Sequence, residues 1–95
     1  MRRSFTFDSP KDQANLVKHG LSLEKAHSFD FETALKVVDT RRDYGEVRVQ
    51  VYGMIEGRLH VLVINPRSGG DRVISLRRAN KREVRRYGGQ VGSQS

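Results

Sequence analysis

Glu46-Val47-Arg48-Val49-Gln50-Val51-Tyr52-Gly53 is the stretch that decides the fold. Valine stands at every second position from Val47 to Val51, with Glu46, Arg48, Gln50 and Tyr52 in the alternate places. Successive side chains of an extended chain point to opposite faces, so the pattern predicts a strand with one packed and one polar face. Gly53-Met54-Ile55-Glu56-Gly57 follows as a hairpin loop with glycine at each end. Leu59 to Ile64 is apolar on both faces except at His60, which predicts a central strand. Asn65-Pro66-Arg67-Ser68-Gly69-Gly70 is a second loop, in which Pro66 has no N–H to give to a ladder. Arg72 to Leu76 is the last strand. Upstream, Leu35 to Val38 is another, closed by the turn-rich Asp39-Thr40-Arg41-Arg42-Asp43.

Helices flank this run of strands. Phe5-Thr6-Phe7 alternates as a short strand. Ser9 is the expected N-cap of a helix from Pro10 to His19, with Pro10 in its first position and Asp12 favoured by the helix dipole. Ala14, Val17 and the following Leu21 form its expected buried stripe, and Gly20 its left-handed stop. Ser22 caps a second short helix, Leu23 to Phe29, with Leu23 and Ala26 inward. Near the end, Asn80 and Glu83 have capping-box spacing, and Ala79 with Val84 makes a weak hydrophobic staple. On a helical wheel Lys81, Arg82, Arg85, Arg86 and the preceding Arg78 share an arc of about 140°. Residues 88–95 lack periodicity and read as a flexible tail after a single domain spanning 1–87. The expected architecture is α+β: an antiparallel sheet, two N-terminal helices and a C-terminal basic helix, the helices covering one sheet face.

Charge is distributed unevenly. The 95 residues hold 18 Lys plus Arg against 11 Asp plus Glu, a net charge of +7. Arg72 to Tyr87 alone holds seven basic residues and one acid, and the rest of the chain is left with 11 against 10. A near-neutral domain with one positive stretch points to a polyanionic partner, nucleic acid first. Cysteine is absent, which excludes disulfides and thiolate metal sites. Met1-Arg2-Arg3 leads into structured sequence with no apolar signal region, and no apolar run nears the roughly 18 residues of a membrane span. A soluble cytoplasmic protein is expected.

The polar sheet face is the natural place for chemistry. Parity sends Glu46, Arg48, Gln50 and Tyr52 there, with either Ser75 and Arg77 or Arg72 from the last strand. A carboxylate among arginines can take a proton from a 2′-hydroxyl while guanidinium groups neutralise charge on phosphate oxygens. The same residues could equally form cross-strand salt bridges. His19 has the intrinsic pKa of a proton carrier, about 6.5, yet sits where a histidine commonly binds the last carbonyls of a helix. Tyr87 offers a proton donor or a stacking surface for a base, or simply closes the helix on the sheet. The five clustered basic residues repel one another without an anionic partner. His19, His27 and His60 lack metal-ligand spacing, so no metal and no cofactor is expected.

Four blocks resemble the BrnT family of bacterial toxins, whose fold is similar to the RelE-type ribonucleases. They are Phe7-Asp8 with Lys11 and Asn15; Lys18-His19-Gly20-Leu21-Ser22-Leu23-Glu24-Lys25-Ala26, reaching Phe29; Tyr44-Gly45-Glu46-Val47-Arg48 with Gly53; and Arg72-Val73-Ile74-Ser75-Leu76-Arg77-Arg78-Ala79 through Tyr87. The chain departs from the pattern at Pro10, one place late, at Val47 for an acid, at Asn65-Pro66, and at Leu76 for alanine. The resemblance implies a metal-independent endoribonuclease, the toxin of a type II toxin–antitoxin pair. It implies a small ribbon-helix-helix antitoxin as partner and operator DNA bound through the complex. On the sheet it implies Glu46, Arg67 and Arg77 as site residues, with Glu46 as base, Arg67 and Arg77 on the phosphate, and His19 or Tyr87 as proton donor. Arg48, Arg72, Arg78, Lys81, Arg82, Arg85 and Arg86 then carry RNA. The competing expectation is a non-catalytic module that binds nucleic acid or docks an antitoxin as a transcriptional co-regulator.

Overall fold

The structure is a computed structural model that describes residues 4–41 and 43–91. The chain start at Met1–Arg3, Arg42 of the expected turn and residues 92–95 of the expected tail lie outside the described residues. Five strands form one sheet in the order β1-β5-β4-β3-β2: β1 Phe5–Thr6, β2 Leu35–Val38, β3 Val49–Ile55, β4 Arg58–Asn65 and β5 Asp71–Arg78. Four strands are antiparallel, as expected, but β1 adds a parallel edge on β5, pairing Phe5 with Asp71 and Thr6 with Arg72. Helix α1 spans Ser9–His19, a 3-10 helix Leu23–Ser28, and α2 Lys81–Tyr87.

The β3–β4 hairpin is tighter than its glycines suggested. β3 continues through Gly53 to Ile55, and only Glu56 and Gly57 turn, both with positive φ (51° and 76°). That is the two-residue turn whose twist suits a hairpin. Gly53 is a strand residue for a packing reason: a Cβ there would collide with the Phe29 ring. β5 carries a bulge. Val73 pairs with Ile64 and Ser75 with Val63, leaving Ile74 as the extra residue. The bulge turns both Val73 and Leu76 into the core, where each is 0% exposed.

The sheet is packed on both faces, which corrects the expectation of helices on one side. The first face meets the 3-10 helix, with Leu23, Ala26 and Phe29 against Val51, Leu62, Ile64, Val73 and Leu76. The second carries a smaller cluster of Tyr52, Leu59, Val61 and Val91, against which Tyr87 of α2 packs. Val91 also corrects the tail. Gly88–Val91 does not leave the domain, because Gln90 and Val91 donate to the Tyr87 carbonyl and the Val91 side chain is buried.

Helix α1 reverses its expected polarity. Ala14 is exposed, Val17 is 87% exposed, and the helix's buried residue is Asn15. The Asn15 side chain donates to the carbonyls of Leu21 and Leu76, 2.8 Å each, and accepts from Leu76 N at 3.1 Å. Two-residue β1 is too short to reach Leu76, so the Asn15 amide stands in for a neighbouring strand on that edge. The N-cap is Asp8 rather than Ser9, its carboxylate accepting from Lys11 N at 2.8 Å. Asp12 accepts from Leu23 N and Ser22 Oγ, tying α1 to the next helix. Ser22 caps that helix through Glu24 N, and the Asn80–Glu83 capping box starts α2.

Candidate functional site on the second sheet face

Between α2 and the segment entering β3, the second face is only partly covered. Parity and register place Arg48, Gln50 and Tyr52 of β3, Asn65, Val63 and Val61 of β4, and Arg72, Ser75 and Arg77 of β5 on it. Arg48, Gln50, Arg72, Ser75 and Arg77 are half-buried. Glu46 and Arg48 precede the regular strand, which begins at Val49 instead of Glu46. Two hydrogen bonds fix this entry: Asn65 Nδ2 donates to the Val47 carbonyl, and Asp39 N to the Arg48 carbonyl, each 2.8 Å.

Two ion-pair clusters occupy opposite ends of the strip. In the first, Glu46 accepts from Arg72 at 2.7 Å through both oxygens and from Arg48 Nε at 3.1 Å. The bond from Arg48, followed by those from Arg72, holds the Glu46 carboxyl below its ordinary pKa despite desolvation. The Tyr44 ring covers the other side of Arg48, 4.1 Å from its guanidinium carbon. Arg72 Nε is a buried donor with no hydrogen-bond partner among the described residues. Arg67 reaches this end indirectly: its Nε donates to Asn65 Oδ1 at 2.7 Å.

The second cluster centres on Arg77. Its two terminal nitrogens donate to the two oxygens of Glu83, 2.8 Å each, a bidentate pair. That bond lowers the Glu83 pKa and raises that of Arg77. Beside it the Tyr52 and Tyr87 rings pack at 4.1 Å between centroids. Burial raises the Tyr52 pKa, with Glu83 adding to it, and its hydroxyl donates to Gln50 Oε1 at 2.9 Å. Arg77 lies five residues from Arg72 along β5, roughly 15 Å of strand. Glu46, Arg67 and Arg77 are therefore not one constellation: the first two share an end, and Arg77 occupies the other.

The remaining expected residues divide by face. His19, at the C-terminus of α1, has its pKa lowered by burial, then by Lys18 and Arg77, which favours the neutral ring at pH 7. Lys81, Arg82, Arg85 and Arg86 are exposed along α2. Arg78 does not join them. It is the last residue of β5, opposite in parity to Arg77, and lines a cleft with His60 on the other face. Sequence reasoning missed Tyr44 as a cover for Arg48 and Glu83 as the partner of Arg77. Glu83 was visible only as a capping-box residue, yet both its oxygens take Arg77, with Oε1 also accepting from Asn80 N.

Residues 7–83 match the family model described as the ribonuclease toxin BrnT of type II toxin–antitoxin systems. The chain belongs to the BrnT family. No curated protein matches it. The matched span takes in both ion-pair clusters of this BrnT-family protein and ends at Glu83, the carboxylate that holds Arg77. No described helix is long and apolar enough to cross a membrane, and no group of three or more potential metal ligands occurs among the described residues.

Proposed function

We propose that this BrnT-family protein is a metal-independent endoribonuclease that cleaves RNA by attack of a 2′-hydroxyl on the adjacent phosphate. One observation supports the reading above others: three half-buried arginines, Arg48, Arg72 and Arg77, share one partly covered strip, each held by a carboxylate. A phosphate entering at Glu46 competes for the guanidinium groups of Arg48 and Arg72. As they turn to the phosphate, the bonds that depress the Glu46 pKa are lost, and Glu46 becomes a stronger base for the 2′-hydroxyl proton. The unpartnered Arg72 Nε favours that exchange, because a buried donor without an acceptor costs about 1–3 kcal/mol. Arg48 and Arg72 then stabilise the charge that grows on the phosphate oxygens.

Arg77 serves a neighbouring phosphate, Tyr87 stacks a base beside it, and Lys81, Arg82, Arg85 and Arg86 carry the strand onward. The leaving 5′-oxygen takes its proton from solvent, because Tyr87 and His19 lie at the Arg77 end of the strip. Arg67 orients Asn65 and through it the entry to β3. In the cytoplasm a ribbon-helix-helix antitoxin neutralises the protein, and the complex binds operator DNA.

Incubation of the purified protein with cellular RNA in excess EDTA tests this. Cleavage should persist, and Arg72→Ala should slow it by about 10²–10³-fold, the usual worth of one transition-state donor. Salt-sensitive RNA binding without cleavage would instead establish the non-catalytic module.

A further inference from the structure

The opposite face of the sheet holds a second candidate site. At the end of the hairpin, Leu21, Lys25, Ile55, Glu56, Arg58, His60 and Arg78 line a cleft of about 270 Å³. Its floor is His60, only 4% exposed. His60 Nδ1 lies 2.8 Å from the carbonyl of Arg58. A carbonyl can only accept, so Nδ1 carries the proton, and in the neutral ring Nε2 is left as an acceptor. Burial, with Arg78 and Arg58 nearby, lowers the His60 pKa, outweighing the bond to the Arg58 carbonyl and the charge of Glu56. No hydrogen bond of Nε2 occurs among the described residues.

Every element around the ring contributes charge: Lys25 from the 3-10 helix, Glu56 from the turn, Arg58 from β4 and Arg78 from β5. Lys25 and Glu56 pair at 3.0 Å, but their side chains are 47% and 71% exposed, so the pair opens easily. Three cations around an accessible acceptor, unpaired among the described residues, call for a ligand that is anionic and also carries an O–H. A phosphate monoester can be both: with a second pKa near 6, about a tenth of it keeps its proton at pH 7, and that monoanion is the form the cleft selects. A phosphodiester has no such proton.

We propose that this cleft is a phosphate-monoester site, in which the P–OH donates to His60 Nε2 and the anionic oxygens take Arg58, Arg78 and Lys25. The ligand is inorganic phosphate, a mononucleotide or the 5′-phosphate end of RNA. The site is independent of the proposed ribonuclease strip, which lies across the sheet.

The test is an NMR titration of the full chain, following the imidazole nitrogens of His60. Inorganic phosphate, adenosine 5′-monophosphate and matched oligonucleotides with 5′-phosphate or 5′-hydroxyl ends are the probes, with sulfate as the control. Phosphate should shift Nε2 saturably and raise the His60 pKa, and sulfate should bind more weakly. Arg78→Gln, an exposed change that spares the core, should weaken binding about tenfold, as loss of one charge-assisted bond does. Glu56→Gln should tighten it. The response of the oligonucleotide pair against the mononucleotide tells whether the source is an RNA end or a free metabolite. Equal affinity for sulfate and phosphate, or an Arg78→Gln protein that binds as the wild type does, would overturn the proposal.

Discussion

The two faces of the sheet are held by different forces. On the first face the 3-10 helix seals a dry core in which Leu23, Leu62, Val73 and Leu76 are fully buried, and Asn15 supplies the polar link to the β5 edge. On the second face α2 is only seven residues long, none of them buried. It is held by the tilted Tyr52–Tyr87 ring contact, a bidentate ion pair and the return of Val91. A dry apolar face fixes the fold because its contacts are many and insensitive to solvent. A face held by charge pairs can exchange those partners for the oxygens of a phosphate, so the weaker anchorage of the second face suits it to the proposed cleavage.

The sharpest way to break this contrast is Asn15→Ala. The substitution leaves Leu76 N–H, Leu76 C=O and Leu21 C=O without partners inside the protein. At about 1–3 kcal/mol for each of these groups, the loss should be at least roughly 3 kcal/mol. That is a large part of the 5–15 kcal/mol typical of a domain. Urea denaturation measures it. A loss under about 1 kcal/mol would mean that α1 is held by something other than this amide.

Glu83→Gln probes the second face with a smaller expected effect, about 2 kcal/mol at pH 7, because a hydrogen-bonded, partly buried charge is lost from Arg77. Its pH dependence has a definite sign. Arg77 depresses the Glu83 pKa, and Arg41 depresses that of Asp39, whose side chain is 1% exposed. Both groups therefore bind protons more readily when unfolded. Their stabilisation is present above the unfolded values near 4 and lost as pH falls through the depressed native ones. Wild-type stability should drop below about pH 4, and Glu83→Gln should flatten part of that fall. Parallel curves for the two proteins would show that the pair contributes nothing.

Much of the fold was legible because it rests on local rules. The alternation of β3, the apolar run of β4, the Ser22 cap and the Asn80–Glu83 box each specify an element from a few neighbouring residues. Asn15 was not, because an asparagine among Gln13, Ala14 and Leu16 has no local sign that it serves a strand edge 61 residues away. Gly53 was misread for the same reason: its missing side chain answers to Phe29, a tertiary neighbour. At the candidate site, parity placed Arg48, Gln50 and Tyr52 on one face. The split of Glu46 from Arg77 depends on β5 register and on Glu83, and Arg78 turns away because the strand continues where a helical surface was expected.

Asn80→Ala gives the smallest effect and bears most directly on how α2 is held. Asn80 Oδ1 accepts from Glu83 N at 2.8 Å, while Asn80 N donates to Glu83 Oε1 at 2.9 Å. Alanine removes the first bond and keeps the second, so Glu83 stays oriented toward Arg77. Loss of an N-cap costs about 1 kcal/mol, which thermal unfolding should register as a modest fall in Tm. RNA binding should weaken further than stability does, since fraying at the start of α2 loosens Lys81 and Arg82 before it disturbs the core. If stability instead falls by several kcal/mol, as expected for Asn15→Ala, then α2 belongs to the cooperative core and the contrast between the faces is wrong. If RNA binding is unchanged while Tm falls, the basic face of α2 is not part of the RNA path, and Arg72 and Arg77 carry it alone.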